Sequence, residues 1–232
     1  MKRRRDTEND TEIRYAIGEL SMILIKVSKS DLDHDHDHDQ DQDHVQSTDD
    51  HCSVSDMIIP TKPFLSVCTL ILQVLDKIGP TMAVLRLDME QNIQKLEKKL
   101  ESEPLLYSNL TELLKMEATE KIAKENTSCS RALLWLTRSL DFSIALLQLL
   151  VKDMKTNIDE AVEEAYTLTL KPWHGWISST AYRIAIKLVP DNETLIDILS
   201  SKGGDRDLLK EEMKSYISLL SPFLEQIHSV LV

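Results

Sequence analysis

The sequence predicts an all-α chain, and three observations carry that prediction. Apolar residues recur at steps of three and four in segment after segment, which places them on one face of a helix with 3.6 residues per turn. Strand-like alternation at period two is missing. Only 5 Gly and 7 Pro punctuate the 232 residues, and 42% of the chain is hydrophobic, enough to fill a substantial core.

Taken in order, residues 1–10 read as a disordered N-terminus, and a helix follows within 11–30. Its apolar face carries Ile13, Ala16, Ile17, Leu20, Leu24 and Val27, so it docks on the body. Residues 31–56 contain DLDHDHDHDQDQDHVQSTDD, with four His and seven Asp between positions 31 and 44. No apolar residue anchors this stretch between Leu32 and Val45, so it offers no fixed coordination geometry and like charges extend it. The reading is a disordered insertion with at most adventitious metal binding, and no dedicated metal site. From Thr61 the spacing predicts helices over 61–78, 80–102, 107–124, 129–152, 156–170, 174–189, 192–201, 205–220 and 222–231, forming one domain. Residues 131–151 are apolar nearly all round and predict the central, most buried helix. Ser221 and Pro222 predict an N-cap and a first helical position for the last one.

Composition excludes several function classes. Formal charge is −12, but residues 1–56 carry seven Lys/Arg against fifteen Asp/Glu, leaving twenty against twenty-four in the rest. The body is nearly balanced and lacks the concentrated basic face that nucleic acid requires. Cys52, Cys68 and Cys129 show no metal spacing and read as reduced thiols of a cytosolic protein. KRRR at 2–5 is followed by acidic residues where a signal peptide needs its apolar segment; it reads as a solvated terminus sooner than as a nuclear signal. The longest apolar run, FLSVCTLILQVL at 64–75, is too short to span a bilayer. No paired carboxylates, nucleophile elbow or phosphate loop are in evidence, so the chain reads as a binding protein without catalytic residues or cofactors.

Three segments carry the candidate chemistry. In LDMEQNIQKLEKKL, 87–100, Asp88, Asn92 and Lys95 form a polar line beside the apolar line of Leu85, Met89, Ile93, Leu96 and Leu100. Spacing alone also fits a solvated helix flank. In the central helix Arg131, Trp135 and Arg138 fall on one line. A guanidinium at the end of an apolar helix needs a carboxylate, a carbonyl, an anion or a path to solvent, and Asp88 is an internal candidate partner. A flat Trp among polar groups also suits a pyranose, whose C–H face stacks on the ring while its hydroxyls take polar partners. Finally, His174 stands at a helix start between Trp173 and Trp176, a pattern that fits a structural histidine or a membrane interface.

DMEQNIQK at 88–95, RALLWLTRSLDF at 131–142 and KPWHGW at 171–176, with Pro190 after it, together resemble the glycolipid transfer protein family, especially its plant members. The resemblance covers nearly all of 57–232 in order and spacing. It implies a two-layer helical sandwich of about eight helices, holding one glycosphingolipid with its sugar at the surface and its chains in an apolar pocket between the layers. It also implies headgroup roles for Asp88, Asn92, Lys95, Trp135 and His174: Asp88 takes the ceramide amide N–H, Trp135 underlies the first sugar, and His174 holds the amide carbonyl. Phe142, Tyr166, Leu170 and Tyr182 match chain-pocket positions, and Trp176 and Ile177 match the tip that touches membrane. Function is then non-vesicular transfer or sensing of glycosphingolipids on cytosolic membrane faces, with transient membrane contact and no enzyme step.

Departures from the pattern define the alternatives. The branch selective for ceramide-1-phosphate has Lys at the position of Asn92 and Arg at that of Trp135, and this sequence has neither. Arg131 does occupy a position where that branch uses a phosphate-binding Arg, which keeps an anionic sphingolipid as the alternative, alongside a lipid-sensing scaffold without transfer. The insertion at 31–56 has no counterpart in the family pattern, and the end at Val232, right after the last helix, implies a changed closure of the pocket and changed chain-length preference.

Overall fold

The computed structural model describes residues 11–32, 58–200 and 205–231, with the side chains of 23–32 and 176–178 outside that description. The Asp/His-rich segment from position 33 onward, Cys52, residues 1–10 and the side chains of Trp176 and Ile177 therefore lie outside it. The described residues form nine α-helices: α1 Glu12–Leu32, α2 Thr61–Ile78, α3 Ala83–Ser102, α4 Leu110–Thr119, α5 Cys129–Lys152, α6 Ile158–Thr169, α7 Trp176–Ile186, α8 Asn192–Ser200 and α9 Arg206–Val230. α5 is the hub, packing on α3, α4, α6 and α9, while α2 packs on α1, α3 and α8 and α9 closes against α1 and α8. The two layers meet along a cavity that residues of eight of these helices line.

Local chemistry explains the boundaries. Gly79 adopts a φ of 109°, which lets the chain turn from α2 into a 3-10 turn at Pro80–Met82 before α3 begins. α4 starts later than predicted because Asn109 caps it: its Oδ1 accepts from Thr111 N at 3.1 Å and from Ile59 N at 2.9 Å, tying α4 to the entry of α2. Lys121, at a φ of 60°, marks its early end. α7 is also shorter than predicted, since a 3-10 turn at Lys171–Trp173 and extended backbone at His174 precede it.

The last two predicted helices are one. α9 runs through Pro222, and Ser221 Oγ donates back to the Ile217 carbonyl at 2.8 Å instead of capping a new helix. Leu220, Phe223, Leu224 and Ile227 are a single buried stripe across that point, and the carbonyl deprived of its partner belongs to exposed Ser218, on the solvent side of the helix.

α5 is by length and composition alone long and apolar enough to cross a membrane. Its N-terminal half is core, with Ala132, Leu133, Leu136, Thr137 and Leu140 all at 0% exposure. Its second half is only partly buried, because the face from Ser139 to Leu150 borders the cavity. The all-round apolarity thus serves two surfaces, packed core and cavity wall.

The start of α5 is held by a buried carboxylate. Glu117 on α4, 3% exposed, accepts from Cys129 N at 2.8 Å, from Ser130 N at 2.7 Å and from Ser130 Oγ at 2.5 Å. Ser128 adds a cap to Arg131 N at 3.0 Å. These bonds satisfy orphan helix donors and set a negative charge at the positive end of the helix dipole. Replacing Glu117 by Ala leaves buried donors unpaired, so we expect a loss of roughly 2–3 kcal/mol in urea unfolding. A loss below about 0.5 kcal/mol would show that solvent replaces the carboxylate.

Candidate functional site

The cavity has a volume of about 250 Å³ and a mostly apolar lining. Asp88 on α3, Trp135 on α5 and His174 in the α6–α7 connection line one lip of it together. Three segments far apart in sequence therefore converge as the sequence reading required. Asp88 is exposed along its helix, yet its carboxyl end faces the cavity. Burial there raises its pKa above 3.8, with His174 and then Lys95 acting in the opposite sense. Burial likewise lowers the His174 pKa below 6.5, opposed by Asp88 and reinforced by Arg138. At a pH above both, a carboxylate faces a neutral imidazole.

Aromatic packing fixes the imidazole. The His174 ring lies 5.5 Å from that of Trp135 and 5.5 Å from that of Tyr166, and Tyr166 Oη stands 3.2 Å from His174 Nδ1. Ser179 Oγ is 3.4 Å from the same phenol oxygen. With the phenol donating to Nδ1, Nε2 carries the imidazole proton and is the nitrogen free to donate to a ligand. The extended backbone at His174 makes this possible, since a residue inside α7 would be held to that helix's own surface.

Asn92 and Lys95 sit one and two turns beyond Asp88. Asn92 is 8% exposed and donates from Nδ2 to the Asp88 carbonyl at 3.0 Å, which leaves Oδ1 as an acceptor. Lys95 Nζ donates to the Asn126 carbonyl at 3.1 Å, with two protons left for other acceptors. Both border the lip without lining the cavity.

Arg138 does not pair with Asp88. Its guanidinium carbon lies 4.9 Å from the Trp135 ring centroid and 4.0 Å from that of Trp173, so two indoles hold it by cation–π contact. Arg131 is exposed one turn earlier on α5.

Phe142, Leu170 and Tyr182 line the cavity, whereas Tyr166 is set back from it. The reason is its packing: Tyr166 stacks on Tyr182 with centroids 3.5 Å apart and turns its hydroxyl to His174. Phe142 meets Tyr182 edge to face at 6.3 Å. The wall continues with Leu70, Ile71 and Val74 of α2, Leu195 and Leu199 of α8, and Ile13 and Ala16 of α1. The sequence reading missed α1 as a wall, the Trp173–Arg138 contact and the Tyr166 hydroxyl. The first had a signal in the helix's apolar face; the other two depend on side-chain directions that spacing does not carry. Cys68 and Cys129 are buried free thiols, with burial the main cause that pushes the Cys129 pKa up to about 11. Among the described residues no group of three or more His, Cys, Asp or Glu has the arrangement for a metal ion.

Comparisons with known proteins bear on the family and the fold. The family model described as glycolipid transfer protein matches residues 59–201. Glycolipid transfer protein 3 of Arabidopsis thaliana is 50% identical over 221 residues, covering 95% of this chain and 88% of the relative. Glycolipid transfer protein 2 of the same plant is 44% identical over 234 residues, covering 100% and 95%. Among solved structures, the FAPP2 domain described as selecting simple glycosphingolipids by this fold superimposes with a TM-score of 0.67 at 30% identity, covering 77% of this chain and 89% of that one. Arabidopsis ACD11 in complex with ceramide-1-phosphate shares the fold at a TM-score of 0.75 and 17% identity, covering 95% of each chain. Its similarity in sequence and in fold, with the lip residues brought to one cavity, makes this chain a member of the glycolipid transfer protein family.

Proposed function

We propose that the protein moves glycosphingolipids between membranes, binding the sugar and amide at the lip and the hydrocarbon in the cavity. The observation that carries this reading is the convergence of Asp88, Trp135 and His174 on the mouth of an apolar cavity. The Asp88 carboxylate accepts the amide N–H, and His174 Nε2–H donates to the amide carbonyl, so an amide is read from both sides. Trp135 underlies the first sugar ring, whose hydroxyls reach Asn92 Oδ1 and Lys95 Nζ. No bond is made or broken in the cycle, and the work is extraction and release.

Hydrocarbon burial supplies little net drive, because about 25 cal/mol per Å² is gained equally in the bilayer the lipid leaves. Selectivity therefore rests on the polar lip. At about 250 Å³ the cavity is below the ~300–1,000 Å³ of ordinary small-molecule sites, so two chains enter by displacing wall side chains and separating the layers. Val84, Leu87, Trp173, Ile184 and Leu188 are exposed apolar side chains on segments that also line the lip and cavity, and they suit a transient contact with a membrane surface. We place that contact on a cytosolic membrane face, in keeping with the thiols of Cys68 and Cys129.

One observation favours a second reading, an anionic headgroup such as ceramide-1-phosphate. Arg131 and Arg138 feel each other's charge beside Trp135, and Lys95 adds a third cation to the lip.

Transfer of fluorescent glucosylceramide and ceramide-1-phosphate between vesicles separates the readings. Glucosylceramide transfer is expected, falling about 10- to 100-fold in Asp88→Val and at least about tenfold in Trp135→Ala. Movement of ceramide-1-phosphate alone would establish the second reading, and movement of neither would leave a scaffold. Tyr166→Phe, which frees His174 Nδ1, is expected to lower transfer about fivefold with little change in melting temperature; unchanged transfer would remove the phenol from the mechanism. On acidification the Asp88 carboxylate protonates at a higher pH than the ordinary 3.8, so lipid binding falls with pH and its midpoint lies above that value. A binding profile without this loss, or one retained in Asp88→Asn, would contradict the acceptor role.

A further inference from the structure

The cavity is not hydrocarbon throughout. Inward of the lip three hydroxyl groups line it: Ser139 and Ser143 on successive turns of α5, and Tyr216 of α9. Around them the wall is Phe142, Leu146 and Leu147 of α5 with Leu70 and Val74 of α2. Ser139 Oγ donates to the Trp135 carbonyl at 3.0 Å and Ser143 Oγ to the Leu140 carbonyl at 2.7 Å. The backbone thus takes both serine protons, and the oxygen lone pairs are left for whatever occupies the cavity. Tyr216 is 5% exposed, burial is the main cause that raises its pKa, and it lines the cavity together with Ser143.

A plain methylene chain along this wall covers the oxygens without replacing their bonds to water, which disfavours it. Serines bonded back to their own helix also add nothing to its stability that Ala would not. Two helices contributing hydroxyls to one stretch of an apolar wall therefore point to a polar group on the ligand.

We propose that Ser139, in a wall that also carries the hydroxyls of Ser143 and Tyr216, is a subsite for a hydroxyl on the lipid's N-acyl chain at the carbon next to the amide carbonyl. The proposal rests on the glycosphingolipid reading above and names the acyl class within it. Ser139 follows Trp135 by one helical turn, about 6 Å along the axis, so the first carbons inward from an amide held by Asp88 and His174 pass it. The acyl hydroxyl donates to Ser139 Oγ. Ser143 and Tyr216 keep the next turn of the wall polar.

The test is competitive transfer from vesicles containing equal amounts of glucosylceramide with a 2-hydroxyacyl chain and with the plain acyl chain of the same length. The protein is expected to move the hydroxylated lipid roughly three- to tenfold faster, the ratio falling toward one in Ser139→Ala and persisting in Ser139→Thr, which keeps the hydroxyl. Equal rates for the two lipids, or a preference that survives Ser139→Ala in a protein of unchanged melting temperature, would overturn the subsite while leaving glycolipid transfer intact. Transfer of neither lipid would overturn the transfer reading and the subsite with it.

Discussion

A polar group at the mouth of an apolar cavity loses hydration without gaining a partner, and this structure maintains two such groups face to face. Asp88 and His174 are both shifted toward their neutral forms by burial, and each is the other's main electrostatic compensation. The arrangement is tolerated because the lip stays open to water. An amide, with one donor and one acceptor on opposite edges, completes it better than water can. The rest of the fold can be understood as the means of bringing these two groups to one lip of the cavity.

The holding is done by elements anchored away from the lip. Glu117 and Ser128 fix the start of α5, so Trp135 emerges less than two turns later at a defined height. The same helix then becomes cavity wall, which couples headgroup and chain recognition through one rigid rod. His174 is held differently, on extended backbone between a 3-10 turn and α7, with Tyr166, Tyr182 and Trp135 forming its packing. A rigid rod on one side and an aromatic-braced connection on the other define the two flanks of the lip.

Most of this was legible in the sequence where periodicity and motif agree. The apolar line from Leu85 to Leu100 and the polar line from Asp88 to Lys95 gave the orientation of α3, and the three quoted stretches contain Asp88, Trp135 and His174, which line one cavity. The misplacements have physical causes. Pro222 looked like a helix start, but four buried residues spanning it outweigh one missing N–H. The beginning of α7 was set too early because Pro172 and Gly175 stand at positions whose turn chemistry competes with helical spacing. For Arg138 the spacing leaves a carboxylate, a carbonyl, an anion or solvent open, and the structure holds it half-buried against two indole faces instead. Tyr166 was assigned to the wall because it is aromatic on the right helix, whereas its stacking on Tyr182 and its hydroxyl place it behind His174. Side-chain direction, which residue spacing does not encode, separates these cases.

The central claim is that one amide is gripped between Asp88 and His174 with a sugar over Trp135. A crystal structure with a short-chain glucosylceramide tests it most directly. The account predicts the amide nitrogen within hydrogen-bond distance of the Asp88 carboxylate, the carbonyl at His174 Nε2, the glucose ring on the Trp135 face and both chains between the layers. A lipid bound with its headgroup at Arg131 and Lys95, or with its amide free of Asp88 and His174, would contradict it.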